Sequence, residues 1–212
     1  MLGDVLLIEE KHKKAADQII TYLEKMSGEK LILAIGGESG SGKTEVAHEV
    51  ARKLKIANTP AKVMHIDNYY LTSPQERTSW RKTHGLKSIG YTEYDWETIR
   101  RNITEFREDQ DRVIMPCIDL LTDQEDQLIT SFEGIRFLII EGLYAIKADA
   151  DLRILIDLTY HDTKMAQYQR RKEPTSDYRW QVLQREHEEM LSLRHLADLV
   201  VNKDFSVTVF ED

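Results

Sequence analysis

The chain has 212 residues, with 29 Lys and Arg against 37 Asp and Glu, for a net charge of −8. That length suits one α/β domain with a substantial core, and the acidic balance argues against a nucleic-acid partner. Cys117 is the single cysteine, so an intrachain disulfide is excluded and a reducing compartment fits.

The predicted elements alternate along the chain. A helix is expected over 9–26, with Ala16, Ile19, Ile20 and Leu23 on one side, as an N-terminal extension spanning 1–28. Its role is packing or a dimer contact, so a homo-oligomer stays open. An apolar strand over 31–36 runs into a glycine-rich turn and then a helix over 43–55. A strand at 62–66 ends at Asp67. Residues 68–94 lack clear periodicity and read as a long loop, rich in aromatic and basic side chains. A helix follows over 95–108, with Asp95 as N-cap. Short strands are expected at 112–118 and 127–133, joined by an acidic turn at 123–126. Strands at 136–140 and 153–158 come next, then helices at 162–171 and 177–194. The last strand covers 199–201, and 205–210 is a candidate for one more. No apolar run approaches transmembrane length, and no basic segment leads into a long apolar one near the start. A cytoplasmic protein with no membrane partner is expected.

Such alternation implies a mostly parallel sheet covered on both faces, with ligands at the carboxyl ends of its strands. Three strand ends carry chemistry. The first opens Gly37, Glu38, Ser39, Gly40, Ser41, Gly42, Lys43 and Thr44, the pattern G-x-x-x-x-G-K-[ST]. Glycines let backbone N–H groups face phosphate oxygens, and the helix start adds positive potential. Lys43 reaches the β and γ phosphates, and the Thr44 hydroxyl ligates Mg²⁺. Glu141 ends a buried strand, where a carboxylate beside such a loop supports the metal; the alternative is a turn cap. Asp67 ends another, placed to accept a proton from an attacking hydroxyl; the alternative is a turn aspartate bonding its own loop.

In the 68–94 loop, Tyr69, Tyr70, Arg77, His84 and Tyr91 are candidates to line a polar or anionic acceptor, together with Asp95. Arg170 and Arg171 close a predicted helix just before Glu173-Pro174. Arginines at a helix–turn–helix hinge suit a lid over about 170–180 that neutralises the transferring phosphoryl group, although cations also suit a helix C-terminus.

These pieces resemble the uridine kinase and phosphoribulokinase family of P-loop kinases. The matching residues are Gly37 to Thr44, Asp67-Asn-Tyr-Tyr70, Tyr94-Asp95-Trp96, Met115-Pro116, Ile140 to Leu143 and Ala197 to Val201. The resemblance covers about 30–202. It implies a P-loop NTPase fold with a five-stranded parallel core, a small β-hairpin at about 112–133 and a helical lid. It also implies ATP as donor, Mg²⁺ as cofactor and a small-molecule hydroxyl as acceptor. Asp67 takes the role of base, Lys43 and Thr44 serve phosphate and metal, and Glu141 serves the metal. Residues 29–212 would then form the kinase domain. Two stretches depart from uridine kinases. Thr92 stands where they carry a ribose-binding aspartate, and Pro116 is followed by Cys117-Ile118-Asp119, with Asp123 near their pyrimidine-contacting histidine. By resemblance uridine is the leading acceptor, and a phosphosugar, pantothenate or another vitamin-like alcohol is the alternative. A nucleotide-binding protein without kinase turnover is the remaining alternative.

Overall fold

The computed structural model describes residues 5–164 and 176–211. Its centre is a six-stranded sheet. In chain order the strands are β1 (Leu31–Gly37), β2 (Ala61–His65), β5 (Phe137–Gly142), β6 (Leu152–Ile156), β7 (Leu199–Val201) and β8 (Val207–Val209). The spatial order is β2-β5-β1-β6-β7-β8. The first five are parallel, as expected, and β8 adds an antiparallel edge against β7.

All seven positions of β1 and all six of β5 are buried, the mark of strands covered on both faces. Alternation divides their side chains between two layers. Ile32, Ala34, Leu138 and Ile140 pack with helix α4 (Trp96–Arg107). Leu31, Leu33, Ile35 and Ile139 pack with helices α1 (Glu10–Leu23) and α2 (Lys43–Ile56). The N-terminal helix thus lies in the main core, through Ala15, Ala16, Ile19 and Leu23.

Two expectations are corrected. The 68–94 segment holds a helix, α3 (Pro74–His84), and short 3-10 turns at Leu86–Ser88 and Tyr91–Glu93. Helix α3 escaped notice because its inward face is not apolar: its one buried residue is Arg81. The signal was in its caps. Ser73 accepts the Glu76 N–H, Pro74 opens the helix, and Gly85 at φ 80° ends it. The hairpin is also displaced. Strands β3 (Val113–Asp119) and β4 (Gln124–Thr130) pair from Val113↔Thr130 to Asp119↔Gln124. The turn therefore covers 120–123, and Gln124, Glu125 and Asp126 belong to a strand. Asp123 adopts the left-handed conformation at φ 54°, and the Asp119 carboxylate accepts the Leu121 N–H at 2.8 Å.

Helix α5 (Asp177–Leu193) begins at its Ser176 cap. Most of the expected 162–171 helix lies outside the described residues, as do Arg170 and Arg171 and the first half of the proposed lid.

Candidate active site

The site grows from three neighbouring strand ends. Strand β1 delivers the loop 37–44, and α2 starts inside it at Lys43. Gly42 is the N-cap in the left-handed conformation at φ 91°, which turns the chain into the helix without a side-chain penalty. A Cβ on Gly37 would fall 2.7 Å from Ser41 Oγ, so only a bare backbone leaves the loop this tight. The Ser41 hydroxyl is buried without a hydrogen-bond partner, and the Lys43 side chain is buried at the helix N-terminus. An orphan donor, a lysine and a helix start in one cradle are the donor set that a phosphate chain needs.

Strand β5 lies beside β1 and brings Glu141 opposite Ile35. The Thr44 hydroxyl donates to Glu141 Oε2 at 3.1 Å. Burial alone would push the Glu141 carboxyl up. The bond and charge of His65, the charge of Lys43 and the Thr44 hydroxyl together hold it below the ordinary glutamate range. It is therefore ionised at neutral pH, the state in which it can support a cation. No cluster of three or more His, Cys, Asp or Glu suited to a metal exists among the described residues. Mg²⁺ does not require one, since one carboxylate, a hydroxyl and the substrate's phosphates suffice. The pair Thr44–Glu141 fits that pattern.

His65 was missed by sequence reasoning. It ends β2 and pairs in register with Glu141, and its Nδ1 lies 2.5 Å from Glu141 Oε1. The pairing of β2 with β5 was the only signal that could have found it.

Asp67 follows in a 3-10 turn (Ile66–Tyr69). Its Oδ1 accepts the Tyr94 hydroxyl at 3.3 Å, and the Tyr70 hydroxyl, 2.6 Å from that of Tyr94, donates to it in turn. Burial, first, and the Asp67 charge raise both phenol pKa values, so these hydroxyls stay protonated donors. The Tyr69 ring is buried, with its hydroxyl on Asn102 at 2.8 Å.

Beyond Asp67 a cavity of about 770 Å³ opens between this turn, the start of α4 and the hairpin. Tyr69, Tyr70 and Asp95 line it, as do Arg101, Cys117, Glu125 and Asp126. Asp95 also caps α4 by accepting the Thr98 N–H at 3.0 Å. Burial raises its pKa, but the Thr98 and Glu97 backbone donors and Arg101 outweigh that and lower it. The other candidate acceptor residues lie off this wall. Arg77 stacks over the Tyr70 ring at 3.4 Å, His84 is exposed and stacks on Trp80, and Tyr91 carries Lys147 over its ring.

A family model described as the phosphoribulokinase / uridine kinase family matches residues 32–172. Uridine kinases of Ureaplasma parvum serovar 3 and Ureaplasma urealyticum serovar 10 are 27% and 25% identical over 135 residues. The match takes in 60% of this chain and 62% of theirs, so the chain spans less than two thirds of these curated relatives. A possible uridine kinase from Bacillus stearothermophilus superposes with a TM-score of 0.62 at 20% identity, over 91% of this chain and 99% of that one. A phosphoribulokinase from Rhodobacter spheroides superposes with a TM-score of 0.59 at 14% identity, over 82% and 70%. D-glycerate 3-kinase from Cryptococcus neoformans does so with 0.57 at 11%, over 98% and 100%. At these identities the structures speak to the fold, which is the α/β fold of the P-loop kinases. No described helix is long and apolar enough to cross a membrane.

Proposed function

The chain belongs to the phosphoribulokinase / uridine kinase family, and we propose that it is an ATP- and Mg²⁺-dependent kinase of a small, uncharged polyhydroxyl acceptor, with a nucleoside of the uridine type as the leading candidate. The observation that carries this reading is the phosphate cradle with its Thr44–Glu141 pair, and a cavity whose wall starts at Asn68, the residue after Asp67.

When bound, Mg·ATP would supply the γ-phosphoryl group and a cation to offset its charge. The loop N–H groups, Ser41 and Lys43 would hold the phosphates, and Thr44 with Glu141 would hold the metal. Asp67 would accept the proton of the acceptor hydroxyl as that oxygen attacks. The Tyr94–Tyr70 pair keeps the Asp67 carboxylate oriented. Arg170 and Arg171 are proposed, on sequence grounds, to neutralise the transferring group.

The cavity wall favours an uncharged acceptor over a phosphosugar or a carboxylate such as pantothenate. Three lining carboxylates, Asp95, Glu125 and Asp126, face one guanidinium, Arg101. Carboxylates accept hydrogen bonds from sugar hydroxyls and repel a second anion. None of the basic side chains of 74–87 lines the cavity; Arg81 is bound to Glu93 and Arg77 lies on Tyr70.

The test is ATP consumption with nucleosides, free sugars, phosphosugars and pantothenate offered in turn. Stimulation by a nucleoside or free sugar, and not by phosphorylated or carboxylate acceptors, is expected. Steady hydrolysis that no acceptor accelerates would contradict the kinase reading. Preference for a phosphosugar would contradict the reading of the wall.

A further inference from the structure

An acidic residue inside an anion-binding loop would repel the anion unless something restrains it. Glu38 is the second residue of the phosphate loop, and its side chain is buried. Its Oε1 lies 2.6 Å from His187 Nδ1 on α5, and its Oε2 accepts the Tyr160 backbone N–H at 2.6 Å. An ionised carboxylate only accepts hydrogen bonds, so Nδ1 carries the proton. The next residue is tied to the same side, since the Thr163 hydroxyl donates to the Ser39 carbonyl at 2.9 Å. The Tyr160 ring closes the arrangement at 5.6 Å from the His187 ring. On α5 the adjacent Glu186 engages Arg81 at 3.3 Å. Both Glu38 oxygens are thus directed at α5 and at the segment after β6.

We propose that His187 is a positioning residue for the nucleotide. With the Tyr160 N–H it holds the Glu38 carboxylate against α5, so that the loop presents N–H groups and not a negative charge to the phosphates. This rests on the kinase reading above and adds a requirement to it: the phosphate loop of this chain works only with a donor on α5. Loss of the donor releases a charge beside the phosphates, and removal of the charge makes the donor dispensable.

The experiment is calorimetric titration of the full chain with Mg·ATP, without acceptor, alongside thermal unfolding. His187→Ala is expected to weaken binding about tenfold, within the range of site-to-site coupling energies. His187→Asn, which returns an N–H donor near the Nδ1 position, should restore most of it. Adding Glu38→Gln to His187→Ala should also restore affinity, a rescue that a packing role for His187 would not produce. In the wild-type chain, ring-¹⁵N spectra should show His187 protonated at Nδ1, with that signal altered in Glu38→Gln. Unchanged affinity in His187→Ala, or no recovery in the double variant, would overturn the proposal. A wild-type chain that binds no Mg·ATP would overturn the kinase reading and this proposal together. Wild-type binding with an insensitive His187 would overturn this proposal alone.

Discussion

A Cβ placed on Gly142 would lie 2.2 Å from Ile66 Cγ1 and 3.3 Å from Asp67 Oδ1. Gly142 also holds φ 150°, outside the range of ordinary side chains. One missing side chain therefore lets the β2 turn close over the end of β5 and sets Asp67 beside Gly142. Gly142→Ala is expected to cost about 3 kcal/mol, from backbone strain plus overpacking. It should also lower kcat, because Ile66 can move only by carrying Asp67 with it. Thermal unfolding and turnover check the two parts; a variant of unchanged stability and rate would mean that the contact is relieved elsewhere. The glycine was visible in the sequence only as part of Ile140-Glu141-Gly142-Leu143. What makes it obligatory is the neighbouring strand, and that depends on the order β2-β5-β1.

At the scale of elements, α3 is held by charge where its neighbours are held by apolar packing. Arg81 Nε and Nη2 donate to the two Glu93 oxygens at 2.7 and 2.9 Å, and Nη1 lies 3.3 Å from Glu186 on α5. All three side chains are buried. Burial would lower the Arg81 pKa, but Glu186 and Glu93 raise it beyond its ordinary value, so the guanidinium stays charged. Removing Arg81 takes the bidentate cation from the buried Glu93 carboxylate and leaves Glu186 with the more distant Arg179, at 3.8 Å. Arg81→Ala should therefore cost about 3–5 kcal/mol in denaturant unfolding, well above the effect of an exposed ion pair. A loss under about 1 kcal/mol would place the anchoring of α3 elsewhere. The same physics explains why the helix was illegible: a periodicity search finds apolar faces, and α3 has none. The parallel strands were legible because both their faces are buried and their side chains are nearly all apolar. The hairpin register was not, because β4 is exposed along most of its length and gives its pattern no core to point at.

Over the whole molecule, the proposed donor half of the site follows from short-range sequence and the proposed acceptor half does not. The phosphate loop occupies eight consecutive residues whose spacing carries its own geometry. Asp67 and Glu141 were readable as strand ends, since a parallel sheet gathers such ends on one edge. The acceptor cavity instead draws on four separated segments, around Tyr70, Asp95, Cys117 and Asp126. The basic residues of 77–87 lie off its wall, with Arg81 on Glu93, Arg77 on Tyr70 and Lys82 over Tyr178. In the proposed reaction the γ-phosphate passes to an alcohol in that cavity with Asp67 as base. The most direct measurement is ³¹P NMR of the chain with Mg·ATP and the best acceptor from the screen, for wild type and Asp67→Asn. The wild-type chain should convert the γ-phosphate signal into a phosphomonoester, and Asp67→Asn should do so about 10²–10⁴-fold more slowly while binding ATP nearly as tightly. Inorganic phosphate as the sole product, or undiminished ester formation by Asp67→Asn, would contradict it.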